Sequence, residues 1–163
     1  DVCTLAKALG NGVPIGACLA AGKAATLFTA GNHGSTFGGN PLACSAALAV
    51  LETLDKDNLI ATAEAKGLAI CSELTALLKG NQHIIDIRHK GLMIGIGLDR
   101  PCADLVKMAL ANGLLINVTQ EKVIRLLPPL VINDEQIKLL VETLTMLITQ
   151  FTAQYTAVND HAA

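Results

Sequence analysis

Between residues 83 and 130 the chain alternates its periodicity in a way that few folds satisfy. Two short apolar runs, "HIIDIRHKG" and "LMIGIGL", meet about Lys90-Gly91. Two more, "LLINVT" and "KVIRLLPPL", follow a segment that opens at Pro101 and closes at Asn112-Gly113. Runs this short, rich in Ile, Val and Leu and bounded by Gly or Pro, are expected as strands, and the segment between them as a helix. Asn133 or Asp134 then caps a last helix to about Phe151, with Ile137, Leu140, Val141, Leu144 and Ile148 at helical spacing. Strands interleaved with helices in this order predict a small α+β layer, its helices packed on one face of a sheet. The tail "TAVNDHAA" is expected to fray.

Upstream, Asn40-Pro41 is a helix start signal, a capping residue followed by proline at the first helical position. The run "PLACSAALAVLETL" that follows is apolar nearly all round, which predicts a buried helix. "DKDN" marks a joint with Asp57 or Asn58 as the next cap, and a second helix to about Lys79 ends at Gly80. Before residue 40 the chain is rich in Gly and small residues. A strand through Val2, Thr4 and Ala6, a turn at Lys7 and a strand near residues 15–21 are expected, then irregular chain.

Composition bounds the function classes. Apolar residues make up 52% and charged residues 16% of the 163, against about 25% charged in ordinary soluble domains. No run reaches the roughly 18 apolar residues of a membrane span. The excess apolar surface is therefore expected to lie against a partner subunit or another part of the same protein. A net charge of −2, 2% aromatics and no Trp exclude a nucleic-acid footprint or a base-stacking platform. Five cysteines, at 3, 18, 44, 71 and 102, make an odd set without a CxxC pair. Neither a disulfide framework nor a metal site fits, and buried reduced thiols in a cytoplasmic protein are expected. Asp1 falls within a strand pattern with no signal peptide before it, as expected of a C-terminal fragment.

Three places carry candidate chemistry. In "TLAKALGNGVPIGA", Lys7 sits between a short apolar run and a glycine-rich turn. A lysine on a loop is ordinarily a solvated cation. Flanked by Ala6, Ala8 and Leu9, however, this one is set for partial desolvation, which frees an amine's lone pair to attack a carbonyl. In "HGSTFGGNPLA", Ser35 and Thr36 offer adjacent hydroxyls, and Gly34, Gly38 and Gly39 leave amides approachable just before a helix N-terminus. Such a loop suits a phosphate or carboxylate, or is an ordinary loop capped by Asn40. In "VIRLLPPLVI", Arg125 is expected on the strand face opposite Val123, and its apolar neighbours call for a carboxylate partner, from the protein or from a substrate.

Other features carry no chemistry. "GACLAAGKAA" imitates a phosphate loop with the wrong spacing and Ala24 in place of the hydroxyl residue, and "GLMIGIG" lacks dinucleotide spacing. His83 and His89 are expected to be exposed or at a strand edge.

Taken together, "TLAKALGNGVPIGA", "HGSTFGGNPLACSAALAVL" and "IRLLPPLVI", in this order and spacing, resemble the C-terminal part of class III pyridoxal-phosphate aminotransferases, in particular the acetylornithine and succinylornithine group. The resemblance implies an α/β chain: the C-terminal part of a fold-type I transferase, the end of the large domain followed by an α+β small domain. It puts the end of the large cofactor-binding domain, with a helix spanning the domains, at residues 1–56 and the small domain at 57–163. It implies pyridoxal 5′-phosphate as cofactor, bonded covalently to Lys7, whose freed amine then shuttles a proton. Thr36 matches a threonine that binds the cofactor phosphate in the partner subunit's site of a homodimer. Ser35 matches a substrate contact and Arg125 an arginine beside the substrate carboxylate. The implied reaction moves an amino group from N-acetylornithine or a similar ω-amino acid to 2-oxoglutarate in arginine metabolism, in the cytoplasm. The chain alone, without the residues that hold the pyridine ring, is expected to be inactive. A 4-aminobutyrate-type aminotransferase, an aminomutase or decarboxylase of the same fold, and a non-catalytic dimerisation piece are the alternatives.

Overall fold

The computed structural model describes the backbone of residues 1–159 and the side chains of residues 1–155. Two compact units emerge, Asp1–Leu59 and Ile60–Ala163.

In the first unit, strands β1 (Val2–Leu5) and β2 (Ala17–Ala20) pair antiparallel, Val2 opposite Ala20 and Leu5 opposite Ala17. Between them lies a single 3-10 turn, Lys7–Gly10, and beyond them another, Gly22–Thr26. β2 starts later than the sequence implies because Ile15 folds back onto the turn, its Cγ2 only 2.8 Å from where a Cβ on Gly10 would stand. Helix α1 (Pro41–Lys56) begins where Asn40-Pro41 predicts. The Ala43 amide donates to Asn40 Oδ1 at 3.0 Å, and proline at the first position forfeits no helical bond. Burial of this helix is not what its composition predicts. Ala43 and Ala47 are its buried residues, while Leu42 is 75% exposed and Leu48 and Leu51 are also open. A helix apolar all round needs cover on several sides, and α1 has cover on one, where its alanines allow close approach.

The second unit holds the core. Helix α2 (Leu59–Leu77), which follows Asn58 in a left-handed conformation, belongs to it from Ile60 onward. Strands β3 (Ile84–Lys90) and β4 (Met93–Leu98) form a hairpin through Gly91, whose φ is 54°. Helix α3 (Asp104–Ala111), strands β5 (Asn117–Thr119) and β6 (Val123–Leu126), and helix α4 (Asp134–Asn159) complete it. The sheet is antiparallel throughout in the order β3-β4-β6-β5. Ile94, Ile96, Leu98, Ile124 and Leu126 alternate onto one face. There they pack in one cluster with Ile70 and Leu74 of α2, Leu105 of α3, and Val141, Leu144 and Ile148 of α4. Each such side chain contributes about 1.5–3 kcal/mol by leaving water. This is the α+β layer expected from the sequence.

Several boundaries move for local reasons. α3 starts at Asp104 and not at Pro101 because the Cys102 amide is committed to the Glu121 carbonyl at 2.9 Å, outside any helical bond; Ala103 is already helical in backbone and leads into the first turn. β6 stops before Pro128 and Pro129, which have no N–H for a ladder. α4 is capped by Asn133, and the exchange is reciprocal: the Gln136 amide donates to Asn133 Oδ1 and the Asn133 amide to Gln136 Oε1. The helix runs on to Asn159, so residues 156–159 of the tail are helical; residues 160–163 lie outside the described residues.

Two expectations about side chains fail. Cys71 and Cys102 are buried, and burial pushes both thiols up, but Cys3 and Cys18 are exposed on a two-stranded sheet that nothing in their unit covers. His83 is buried and not at an exposed edge: its Nδ1 lies 2.9 Å from Asp99 Oδ2 and 3.0 Å from the Arg100 guanidinium. Arg100 in turn bonds Asp99 through Nε at 2.8 Å and stacks over the Tyr155 ring at 4.1 Å. A polar histidine can leave water here because those partners replace it on one ring nitrogen.

Candidate active site

Lys7 heads the 3-10 turn that leaves β1. Its φ is 54°, a left-handed conformation that side-chain-bearing residues rarely hold, and Asn11 (46°) and Gly12 (107°) continue the reversal. Holding a non-glycine residue there costs of order 1 kcal/mol or more, and such outliers cluster where a side chain must be aimed. Turn bonds fix the conformation: the Leu9 amide donates to Ala6 O at 3.2 Å and the Asn11 amide to Ala8 O at 3.1 Å. The side chain is exposed, so the desolvation expected from Ala6, Ala8 and Leu9 is not supplied by this chain. Among the described residues Lys7 forms no ion pair. What is present is a primary amine on a stiff, strained turn, with no carboxylate competing for it.

Ser35 and Thr36 lie in the same unit, in the exposed loop that ends at the α1 cap. α1 packs on the Lys7 turn, which ties the loop and the lysine to one framework. The Gly38 amide donates to Ser35 Oγ at 3.1 Å, and the Asn40 side-chain amide donates to Phe37 O at 2.9 Å. One of the amides that the glycines were expected to leave open is thus already used. The Thr36 hydroxyl has no hydrogen-bond partner among the described residues and faces solvent.

Arg125 belongs to the second unit. A period of two puts residues i and i+2 on one face, so Arg125 shares its face with Val123, contrary to the sequence expectation; Ile124 and Leu126 turn into the core. The half-buried guanidinium donates through Nε to Asn117 Oδ1 at 3.1 Å, and among the described residues it has no carboxylate partner. The salt bridge that its apolar neighbours suggested is absent because the face it occupies is the open one.

That open face holds further charge. Arg88 on β3 stands opposite Gly95 on β4, Gly95 opposite Arg125 on β6, and Arg125 opposite Asn117 on β5, one row across the sheet. Arg88 is ion-paired with Asp86. Nothing in the local sequence marks Arg88 for function. Only the pairing of strands aligns it with Arg125, although alternation in "IIDIRHK" does put Asp86 and Arg88 on one face. A cavity of about 330 Å³ in the same unit, lined by Lys79, Asn81, His83, Thr149 and Thr152 among others, includes none of the four candidate residues.

The strained lysine turn and the hydroxyl loop ahead of a helix N-terminus belong to the first unit, and the arginine on the open face of the α+β layer to the second. Over residues 1–148 the sequence matches the class-III aminotransferase family, and the chain belongs to that family. It is 53% identical over 154 residues to acetylornithine aminotransferase 1 of Bordetella bronchiseptica, covering 94% of this chain and 39% of that protein. With acetylornithine aminotransferase of Methanothermobacter thermautotrophicus it shares 47% over 149 residues, 91% of this chain and 38% of the relative. Among solved structures, ornithine aminotransferase from Toxoplasma gondii superposes with a TM-score of 0.88 at 33% identity, over 94% of this chain and 38% of that one. Acetylornithine aminotransferase from Elizabethkingia anophelis superposes with a TM-score of 0.83 at 38% identity, over 92% and 41%. The chain therefore spans about two fifths of the length of the relatives it matches.

Proposed function

We propose that this chain is the C-terminal part of a pyridoxal-phosphate-dependent aminotransferase that moves an amino group from N-acetylornithine, or a similar ω-amino acid, to 2-oxoglutarate. The observation that carries this is Lys7: an exposed amine, without an ion pair among the described residues, held at φ 54° in a chain of the class-III family. The residues present fit the cofactor. Lys7 offers the amine its aldehyde needs, and Thr36 offers an unpartnered hydroxyl to its phosphate. Bound pyridoxal phosphate supplies an aldehyde for the amino group and a ring that draws the electron pair of the substrate Cα. Lys7 anchors the cofactor between turnovers. When free, its Nζ would move the proton from the substrate Cα to the cofactor carbon that carries the amino group. Ser35 touches the substrate, and Arg125 holds a substrate carboxylate through the guanidinium nitrogens that Asn117 leaves free.

The exposed side chains of the first unit support a homodimer in which Thr36 serves the partner subunit's site. Phe37, next to Thr36, is 81% exposed, and Phe28 and Leu27 are each 73% exposed. No described helix is long and apolar enough to cross a membrane, and we place the enzyme in the cytoplasm with the rest of arginine metabolism. In the intact protein with cofactor, N-acetylornithine and 2-oxoglutarate should yield glutamate, and Lys7→Ala should lower kcat by several orders of magnitude. An unchanged rate in Lys7→Ala would overturn the proposal.

A further inference from the structure

Arg88 and Arg125 face the same way across one glycine. Residues paired directly across antiparallel ladders share a face, and two strand spacings separate β3 from β6, so their Cα atoms are about 10 Å apart. Gly95 stands between them, and its missing side chain leaves the strand between the two arginines bare. The Arg88 guanidinium uses that gap: its Cζ lies 3.5 Å, and its Nε and Nη2 3.6 Å, from where a Cβ on Gly95 would be. Arg88 thus lies over β4, on the side of its strand toward Arg125. The charges on this face do not balance. Among the described residues Asp86 is the one carboxylate that pairs with Arg88, through Nη1, and Arg125 bonds a neutral amide. Two guanidinium groups on one open face therefore share one carboxylate, and a second anion would relieve their repulsion.

We propose that Arg88 and Arg125, with Gly95 as the floor between them, form a two-pronged seat for one carboxylate of the amino- or oxo-acid substrate. Arg88 is thereby a second substrate-binding residue. This rests on the assignment of Arg125 to a substrate carboxylate and extends it. A carboxylate has two oxygens. One accepts from the free nitrogens of Arg125 and the other from the Arg88 edge that Asp86 does not occupy. Asp86 is a competitor in this arrangement, holding Arg88 when the seat is empty.

The test is the affinity of the cofactor-loaded intact protein for 2-oxoglutarate, read by calorimetry, which needs no turnover, with thermal midpoints recorded for every variant. Arg88→Gln should raise Kd about tenfold, and Arg88→Lys should recover part of the loss. Asp86→Asn, which frees Arg88, should lower Kd, a gain that damage to the sheet cannot mimic. Gly95→Val should raise Kd by filling the floor. If Arg88→Gln leaves Kd unchanged while Arg125→Gln raises it, the inference about Arg88 is overturned and the assignment of Arg125 stands. If neither changes Kd, both fall. If Asp86→Asn weakens binding as Arg88→Gln does, the pair is structural and the seat is refuted.

Discussion

The carbonyl of Gly91, at the β3–β4 turn, occupies the space that a side chain on Gly67 of α2 would need. The Gly91 carbonyl carbon lies 2.8 Å, and His89 Nδ1 3.0 Å, from that ideal Cβ position. The contact is clamped from the helix, since the Gly91 amide donates to Glu64 Oε2 at 2.8 Å. A glycine inside a helix ordinarily costs about 1 kcal/mol relative to alanine. Here it is what lets helix and turn touch.

Gly67→Ala should therefore destabilise the protein although alanine favours helices. Overpacking against backbone costs about 1–3 kcal/mol or more, which exceeds the propensity gain. Urea denaturation should show a lower midpoint for Gly67→Ala and a smaller loss for Glu64→Gln. A midpoint at or above the parent's in Gly67→Ala would refute the close approach.

Asp99 gives the acid limb of stability a named source. The Arg100 guanidinium, and after it His83, holds its carboxyl well below the usual range. The folded-state pKa is thus below the unfolded one. The contribution is complete above about pH 5 and fades as pH falls through the unfolded-state value toward the folded-state one. Asp99→Asn should lower the urea midpoint at pH 7 and narrow the difference from the parent as pH drops from 5 to 3. A constant difference across that range would show that Asp99 acts by packing and not by charge.

Much of this architecture is legible in the sequence, and the exceptions share a cause. The Asn40-Pro41 start, the Asn133 cap and the Gly91 hairpin are local, encoded by residues within a few positions of one another. What the sequence misleads about depends on distant partners. The Arg88–Gly95–Arg125 row requires the strand pairing, and the burial of His83 requires Asp99 and Arg100, which follow it by a full hairpin. α1 misleads for the converse reason: its all-round apolar surface demands cover that this chain does not provide. At the candidate site, the place of Lys7 on a turn after a strand is legible, whereas its left-handed backbone is not, because lysine ordinarily avoids it.

That backbone predicts a stability–function conflict at one position. In cofactor-free intact protein, Lys7→Gly should be more stable than Lys7→Ala by about 1 kcal/mol, since glycine occupies positive φ without strain. Both variants lack the amine and should be inactive. Thermal midpoints of the two apo variants check this, and equal midpoints would mean that the turn relaxes when the lysine is removed.

The most direct measurement is borohydride reduction of the cofactor-loaded intact protein followed by peptide mapping. The account predicts a pyridoxyl-phosphate adduct on the peptide that contains Lys7, lost in Lys7→Ala. An adduct confined to another lysine, such as Lys23 or Lys66, or no adduct on a protein that still transaminates, would contradict it.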